Sequence, residues 1–214
     1  AITLFLAFSK AALAQFGNCT ASEMRTYVDS ATGNTITMLT DTMKNDRFLY
    51  QTDPMWTADG KYLLFRSSSR GNDKEVESTL PNGEKRKWTP TQIYFIEMAT
   101  GKIIQATEGP NLGSAFLANK TNRMFVSRKE KENWNMYVMD LNKFFADVKQ
   151  GKVGKPSAYE TFIGTFPTEM GRPGGYAVDC NDDYAYITVE REGTEEEKER
   201  MMKNAFLPES NQPV

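Results

Sequence analysis

The chain has 214 residues, of which 39% are hydrophobic, 25% charged and 12% aromatic, the make-up of a folded globular protein and not of a collagen, a disordered tail or a polytopic membrane protein. Its formal net charge of −2 gives no global support to nucleic-acid binding. Histidine is absent, which rules out a histidine metal site, a Ser-His-Asp triad and an imidazole base within the chain, and two cysteines alone cannot build a zinc ribbon or an iron–sulfur site.

Ile2 to Ala14 carries one charge, Lys10, and closes on Ala12-Leu13-Ala14, a small-residue cleavage pattern ahead of Gln15. Residues 1–14 therefore read as a secretory signal peptide lacking its basic start, with a buried N-terminal helix as the alternative. The run is too short to span a bilayer. Residues 15–24 read as a linker, and 25–214 as the folded part. Export permits a disulfide between Cys19 and Cys180, but nothing in the sequence brings the two sulfurs together, and free thiols stand as the other reading.

Two motifs then recur. Tyr27 to Ile36 (YVDSATGNTI) is a strand, an acidic residue, a Thr-Gly turn and a second strand, and Phe95 to Ile104 (FIEMATGKII) repeats it. Glycine at that place supplies the positive φ of a tight hairpin. Tyr137-Val138-Met139-Asp140-Leu141 begins a third copy, in which Asn142 to Gly151 replaces the turn and Lys143 to Val148 reads as a short helix. The second motif is a hairpin led by an aromatic residue. Asp53 to Phe65 turns at Asp59-Gly60, Phe116 to Val126 at Asn119 to Asn122, and Tyr176 to Ile187 at Asn181-Asp182-Asp183. Its aromatics, Trp56, Phe116 and Tyr176, stand 60 residues apart (116−56 and 176−116).

Between the motifs, Arg70 to Gln92 is a long polar hairpin loop with Asn82-Gly83 at its turn. Its Lys85-Arg86-Lys87 run reads as a solvated loop rather than a binding patch. Thr194 to Asn204 reads as a helix, capped by Thr194, with Glu195-Glu196-Glu197 at the positive end of its dipole. Asp140, Asp182 and Asp183 lack the spacing of a calcium loop and read as turn residues.

Two hairpins per repeat make about four strands, the content of one β-propeller blade, with a plain antiparallel sandwich as the alternative. The expected fold is all-β: a propeller of four-stranded antiparallel blades with short helical inserts. About three blades are present, where about 4–8 are needed to close a ring, so the chain reads as the N-terminal part of a longer protein. Three arginines are candidate ligands for a carboxylate: Arg66 and Arg70, flanking Ser67-Ser68-Ser69 at a strand exit, and Arg172 in the flexible Gly171 to Gly175 loop. A surface or structural role is the alternative for each.

The order of these segments resembles the oligogalacturonate lyase family, within the wider group of TolB-like and WD40-like propellers. The match runs from the Tyr-Val-Asp…Thr-Gly hairpin through Asp53 to Arg66, Ile93 to Gly101, Gly171 to Tyr176 and the strands around Cys180, to a helical insert with a proline-containing exit. It covers about residues 25–214, roughly the first half of a family member. The resemblance implies a propeller of about seven blades that cleaves pectin oligomers by β-elimination, with Mn2+ as the full-length cofactor, and the signal-peptide pattern implies a periplasmic or secreted location. It implies no catalytic or metal residue within this chain, those being expected beyond Val214. The implied partners are an acidic oligosaccharide and the remaining blades of the same protein. No nucleic acid and no membrane span is expected. The alternative function is a non-catalytic TolB-like binding or scaffold propeller. A third reading, the propeller cap of a prolyl-peptidase-like hydrolase, would need a catalytic domain outside this chain.

Overall fold

The computed structural model describes residues 16–71, 75–79, 83–166 and 172–190. The expected signal peptide and the expected helix at Thr194 to Asn204 lie outside the described residues. Among the described residues the chain is mostly β, as expected, with one α-helix and several antiparallel sheets, none of which closes on itself. No helix among them is long and apolar enough to cross a membrane.

Residues 15–24, expected as a linker, are partly built into the fold. Phe16 is buried, and strand β1 (Cys19–Thr20) adds to the far edge of a five-stranded sheet by pairing with Ile103 and Ile104. Gly17 makes this approach possible: its φ is +78°, and an added Cβ would lie 2.4 Å from a methyl carbon of Val153. The hairpin of β2 (Arg25–Val28) and β3 (Thr35–Met38) follows, and then the short β4 (Asp46–Arg47).

The five-stranded sheet has the order β1-β9-β8-β5-β4, where β5 is Tyr62–Ser67, β8 is Gln92–Glu97 and β9 is Ile103–Gln105. The excursion between β5 and β8 is itself a hairpin, β6 (Val76–Thr79) against β7 (Lys85–Trp88), as the sequence suggested. A four-stranded meander comes next: β10 (Leu112–Leu117), β11 (Arg123–Glu130), β12 (Asn133–Asp140) and β13 (Glu160–Phe166). The last hairpin pairs β14 (Arg172–Val178) with β15 (Ala185–Glu190).

The expected helical insert is α1 (Leu141–Gln150). Asp140 caps it by accepting from the Lys143 N–H at 3.1 Å, and Gly151 at φ 65° ends it in the left-handed conformation. Its apolar residues join the core between the two large sheets. Phe145 stacks on Tyr62 at 3.6 Å between ring centroids and meets Phe95 edge-on at 5.1 Å, while Phe144 contacts Phe16 at 4.9 Å. Lys149, in the last helical turn, reaches Glu97 of β8 at 3.0 Å.

The long repeat has a period of 61, not 60. Each aromatic-led hairpin is closed by the same backbone bond: Thr57 N–H to Tyr62 C=O, Ala118 to Arg123 and Asp179 to Tyr184. The donors stand 61 apart (118−57 and 179−118). Trp56, Phe116 and Tyr176 are therefore not equivalent positions. Each lies one residue further from its turn than the last, and a one-residue step along a strand reverses the face. Trp56 is accordingly exposed, whereas Phe116 is buried and stacks on Phe125 and Tyr176, each at 5.0 Å.

The turns, not the aromatics, link one hairpin to the next. Asp182 has φ 64° and is buried, and its carboxylate accepts from the N–H groups of Asn119, Lys120 and Thr121 at 2.6, 2.8 and 2.8 Å and from the Thr121 hydroxyl at 2.9 Å. Asn122 in turn accepts from the Asp59 N–H at 3.2 Å. Burial works against the charge of Asp182, but these donors outweigh it and lower its pKa. Asp59 is held at about 2 in the same way, with burial opposing its charge and Thr57 and Lys61 donating to it. A depressed carboxyl pKa stabilises the fold above the unfolded value and loses that contribution as pH falls through the folded one.

Two outcomes follow. Asp182→Ala lowers stability by about 2–4 kcal/mol in urea unfolding, because four donors lose one acceptor, and Asp182→Asn, which keeps an acceptor and tolerates positive φ, loses less. A loss no larger than that of Asp183→Ala at the exposed neighbouring position would contradict this. Unfolding midpoints followed at decreasing pH fall between about pH 4 and pH 2, and the Asp182→Ala chain shows a shallower fall.

Candidate ligand-binding groove

β5 carries two arginines at its exit, and strand alternation separates their roles. Arg66 lies on the same face as Tyr62 and Leu64, toward the second sheet, whereas Phe65 lies on the opposite face. Arg70 follows Phe65 to that opposite face, its guanidinium 5.3 Å from the Phe65 ring.

There Arg70 is fully engaged. Its Nε and Nη2 donate to Asp46 at 2.8 and 2.6 Å, and its Nη1 and Nη2 donate to Glu23 at 2.9 and 2.6 Å. Only 6% of the Arg70 side chain and 9% of that of Asp46 remain accessible. Burial disfavours the charged guanidinium, but the two carboxylates more than compensate and raise its pKa. The Arg70 hydrogen bonds hold Glu23 below the usual carboxylate range. Arg70 thus fastens the segment ahead of β2 to β4 and to the exit of β5, and its donors are not available to a ligand.

Arg66 has a different setting. It is exposed, stands directly across from Arg47 of β4, and lines a groove of about 900 Å3. Directly paired residues of an antiparallel ladder point to the same face, so two guanidinium groups share this floor. Arg47 is steered by Asn45, whose Oδ1 accepts from Arg47 Nε at 3.3 Å. Asn45 is anchored in turn, its backbone N–H on Ser69 at 2.7 Å and its amide on Ser68 at 2.8 Å. The Ser67-Ser68-Ser69 run thereby sets the position of Arg47, a residue the sequence reading passed over.

The groove wall comes from β7. Alternation turns Arg86 and Trp88 inward, and both line the groove. Lys85 points to the other face, where it pairs with Glu77 at 2.7 Å. The basic run expected to be a solvated loop is thus divided, with Arg86 in the groove and its lysine neighbours outside. Tyr50, Asp53 and Tyr176 add to the polar and aromatic lining, with Gly174 and Gly175 of β14 beside them. Three arginines face one carboxylate, Asp53, and none of the three is in an ion pair with a described carboxylate.

Arg172, expected on a flexible loop, is the first residue of β14 and pairs in register with Glu190. Its side chain lies outside the described ones. Cys19 and Cys180 are both exposed free thiols.

No family model matches the chain, and no curated protein matches it. Among solved structures, the fold is similar to part of that of oligogalacturonate lyases. One is an oligogalacturonate lyase in complex with manganese, at 20% identity and a TM-score of 0.54 over 78% of this chain and 35% of that one. Another is the oligogalacturonate lyase of Vibrio parahaemolyticus, at 21% identity and a TM-score of 0.54 over the same shares. The chain spans about a third of the length of these structures. The described residues do not fit a manganese ion: the chain has no histidine, and among these residues no three His, Cys, Asp or Glu side chains converge.

The two arginines of β5 separate in experiment. Arg70→Ala lowers stability by about 3–5 kcal/mol, because the Asp46 and Glu23 carboxylates are left without their partner, whereas Arg66→Ala changes it by less than about 0.5 kcal/mol. Equal effects in thermal or urea unfolding would contradict the assignment.

Proposed function

We propose that the chain is part of a β-propeller enzyme that degrades pectin fragments, an exported oligogalacturonide lyase, and that the groove holds the acidic saccharide. The observation that carries this is the groove itself: three guanidinium groups in no ion pair with a described carboxylate, beside the rings of Tyr50, Trp88 and Tyr176, in a fold similar to that of oligogalacturonate lyases. A single guanidinium grips a carboxylate through two parallel hydrogen bonds, and flat rings take the apolar faces of sugars.

β-Elimination removes the proton α to the uronate carboxylate. The released electron pair forms the new C=C bond as the glycosidic C–O bond breaks and the leaving oxygen takes a proton. Arg47 and Arg66 can hold the carboxylate and spread the charge that develops on it. The base, and the Mn2+ implied for the whole protein, belong to blades outside this chain. The five-stranded sheet and the meander supply two blades, β2–β3 and β14–β15 parts of the flanking ones. Exposed Tyr27, Val28 and Ile36 on one hairpin and Tyr184 and Tyr186 on the other are the apolar surfaces that further blades cover. Secretion or a periplasmic location accords with the apolar N-terminal run.

A second reading, a non-catalytic binding propeller, is favoured by one feature: among the described residues the groove lining holds a single carboxylate, Asp53, and no acid–base pair. Both readings need an anionic ligand in the groove, and activity of the whole protein separates them.

Trigalacturonate added to the chain changes the fluorescence of Trp88 saturably, and Arg66→Ala weakens that binding by about tenfold, whereas neutral galactose oligomers leave the signal unchanged. An equal response to the neutral sugar would overturn the proposal. The chain by itself releases no unsaturated uronate from digalacturonate, and a rise in ultraviolet absorbance on incubation would contradict the placement of the base elsewhere.

A further inference from the structure

The groove has two cationic stations built from different parts of the chain. Arg47 and Arg66 form the floor, on adjacent strands of the five-stranded sheet. Arg86 stands on the wall, on a hairpin that forms its own two-stranded sheet. Its cross-strand partner is Ser78 and that of Trp88 is Val76, so no acid faces the groove from β6. The acid of that hairpin, Glu77, is opposite Lys87 and pairs with Lys85 on the outer face. Among the described residues, Asp53 is the one acidic side chain in the groove lining. A volume of about 900 Å3 stands near the top of the range of roughly 300–1,000 Å3 for small-molecule sites, which is more than one sugar ring fills.

We infer that the β6–β7 hairpin makes the groove selective for saccharides carrying at least two carboxylates, one held between Arg47 and Arg66 and the next taken by Arg86 while Trp88 covers the intervening sugar face. The inference rests on the proposed acidic-saccharide reading and adds to it a length requirement and the residues that impose it. Arg86 and Trp88 are specificity-determining residues, and the floor arginines bind any uronate.

Calorimetric titration of the chain with galacturonate, digalacturonate and trigalacturonate tests it. Binding tightens by about tenfold or more from the monomer to the dimer. Arg86→Gln removes that step and leaves the monomer's affinity unchanged, and Trp88→Ala reduces it. Lys87→Gln takes the same charge from the outward face of the same strand and leaves all three affinities as they were. The inference is overturned if Arg86→Gln weakens monomer and dimer equally, if it weakens neither, or if Lys87→Gln matches its effect. Should the unaltered chain bind none of the three, the acidic-saccharide reading itself fails and this inference with it. Should it bind monomer and dimer equally, only the length requirement fails.

Discussion

The interaction on which the rest depends is the four-bond grip of Arg70 on Asp46 and Glu23. It is buried, so removing either side would leave an unpaired charge in a poorly solvated place. It connects the approach to β2, which pairs with neither strand, to β4 and to the exit of β5, whose own ladder is the two pairs Asp46–Ser67 and Arg47–Arg66. It occupies Asp46 on the face of β4 opposite Arg47. Arg47, the residue after Asp46, and Arg66, four residues before Arg70, line the groove beside Asp53, and neither is in an ion pair with a described carboxylate. Strand alternation thus keeps the structural arginine on one face of the sheet and the groove arginines on the other.

A second constraint sets the spacing between hairpins. The turns at 58–61, 119–122 and 180–183 are alike because each is closed by the same backbone bond, and successive turns are tied through Asn122 and Asp182. These contacts keep neighbouring sheets at one distance and leave the aromatic residues free to differ. Trp56 is exposed, while Phe116 fills the core between β10 and β14. The groove opens between these units, where β4, β7, β10 and β14 come together.

The parts of this fold that are local in sequence were legible in it. Thr-Gly turns announce hairpins because glycine alone enters the left-handed region without cost; Gly101 has φ 70°, and an added Cβ would meet the Ser22 hydroxyl at 2.0 Å. A short helix over Lys143 to Val148 was expected where the third hairpin lacks its turn; the helix found, Leu141–Gln150, is longer at both ends because Asp140, read as a turn residue, is its N-cap. What depends on distant partners was not legible. Arg66 and Arg70 look alike in sequence, and only the acids 24 and 47 residues from Arg70 distinguish them. The Lys85-Arg86-Lys87 run reads as one charged patch until strand alternation divides it. The 60-residue spacing of aromatics came within one residue of the true repeat, and in a strand that is enough to reverse the face. β1 was invisible because two exposed residues, Cys19 and Thr20, have no strand pattern of their own and owe their conformation to β9.

The central claim is a division of labour among arginines, and side-chain NMR of the chain tests it most directly. In a titration with trigalacturonate, the Nε–Hε signals of Arg47, Arg66 and Arg86 are predicted to move together and saturate, while that of Arg70 stays in place. Movement of Arg70, or three groove signals that do not respond, would contradict the account.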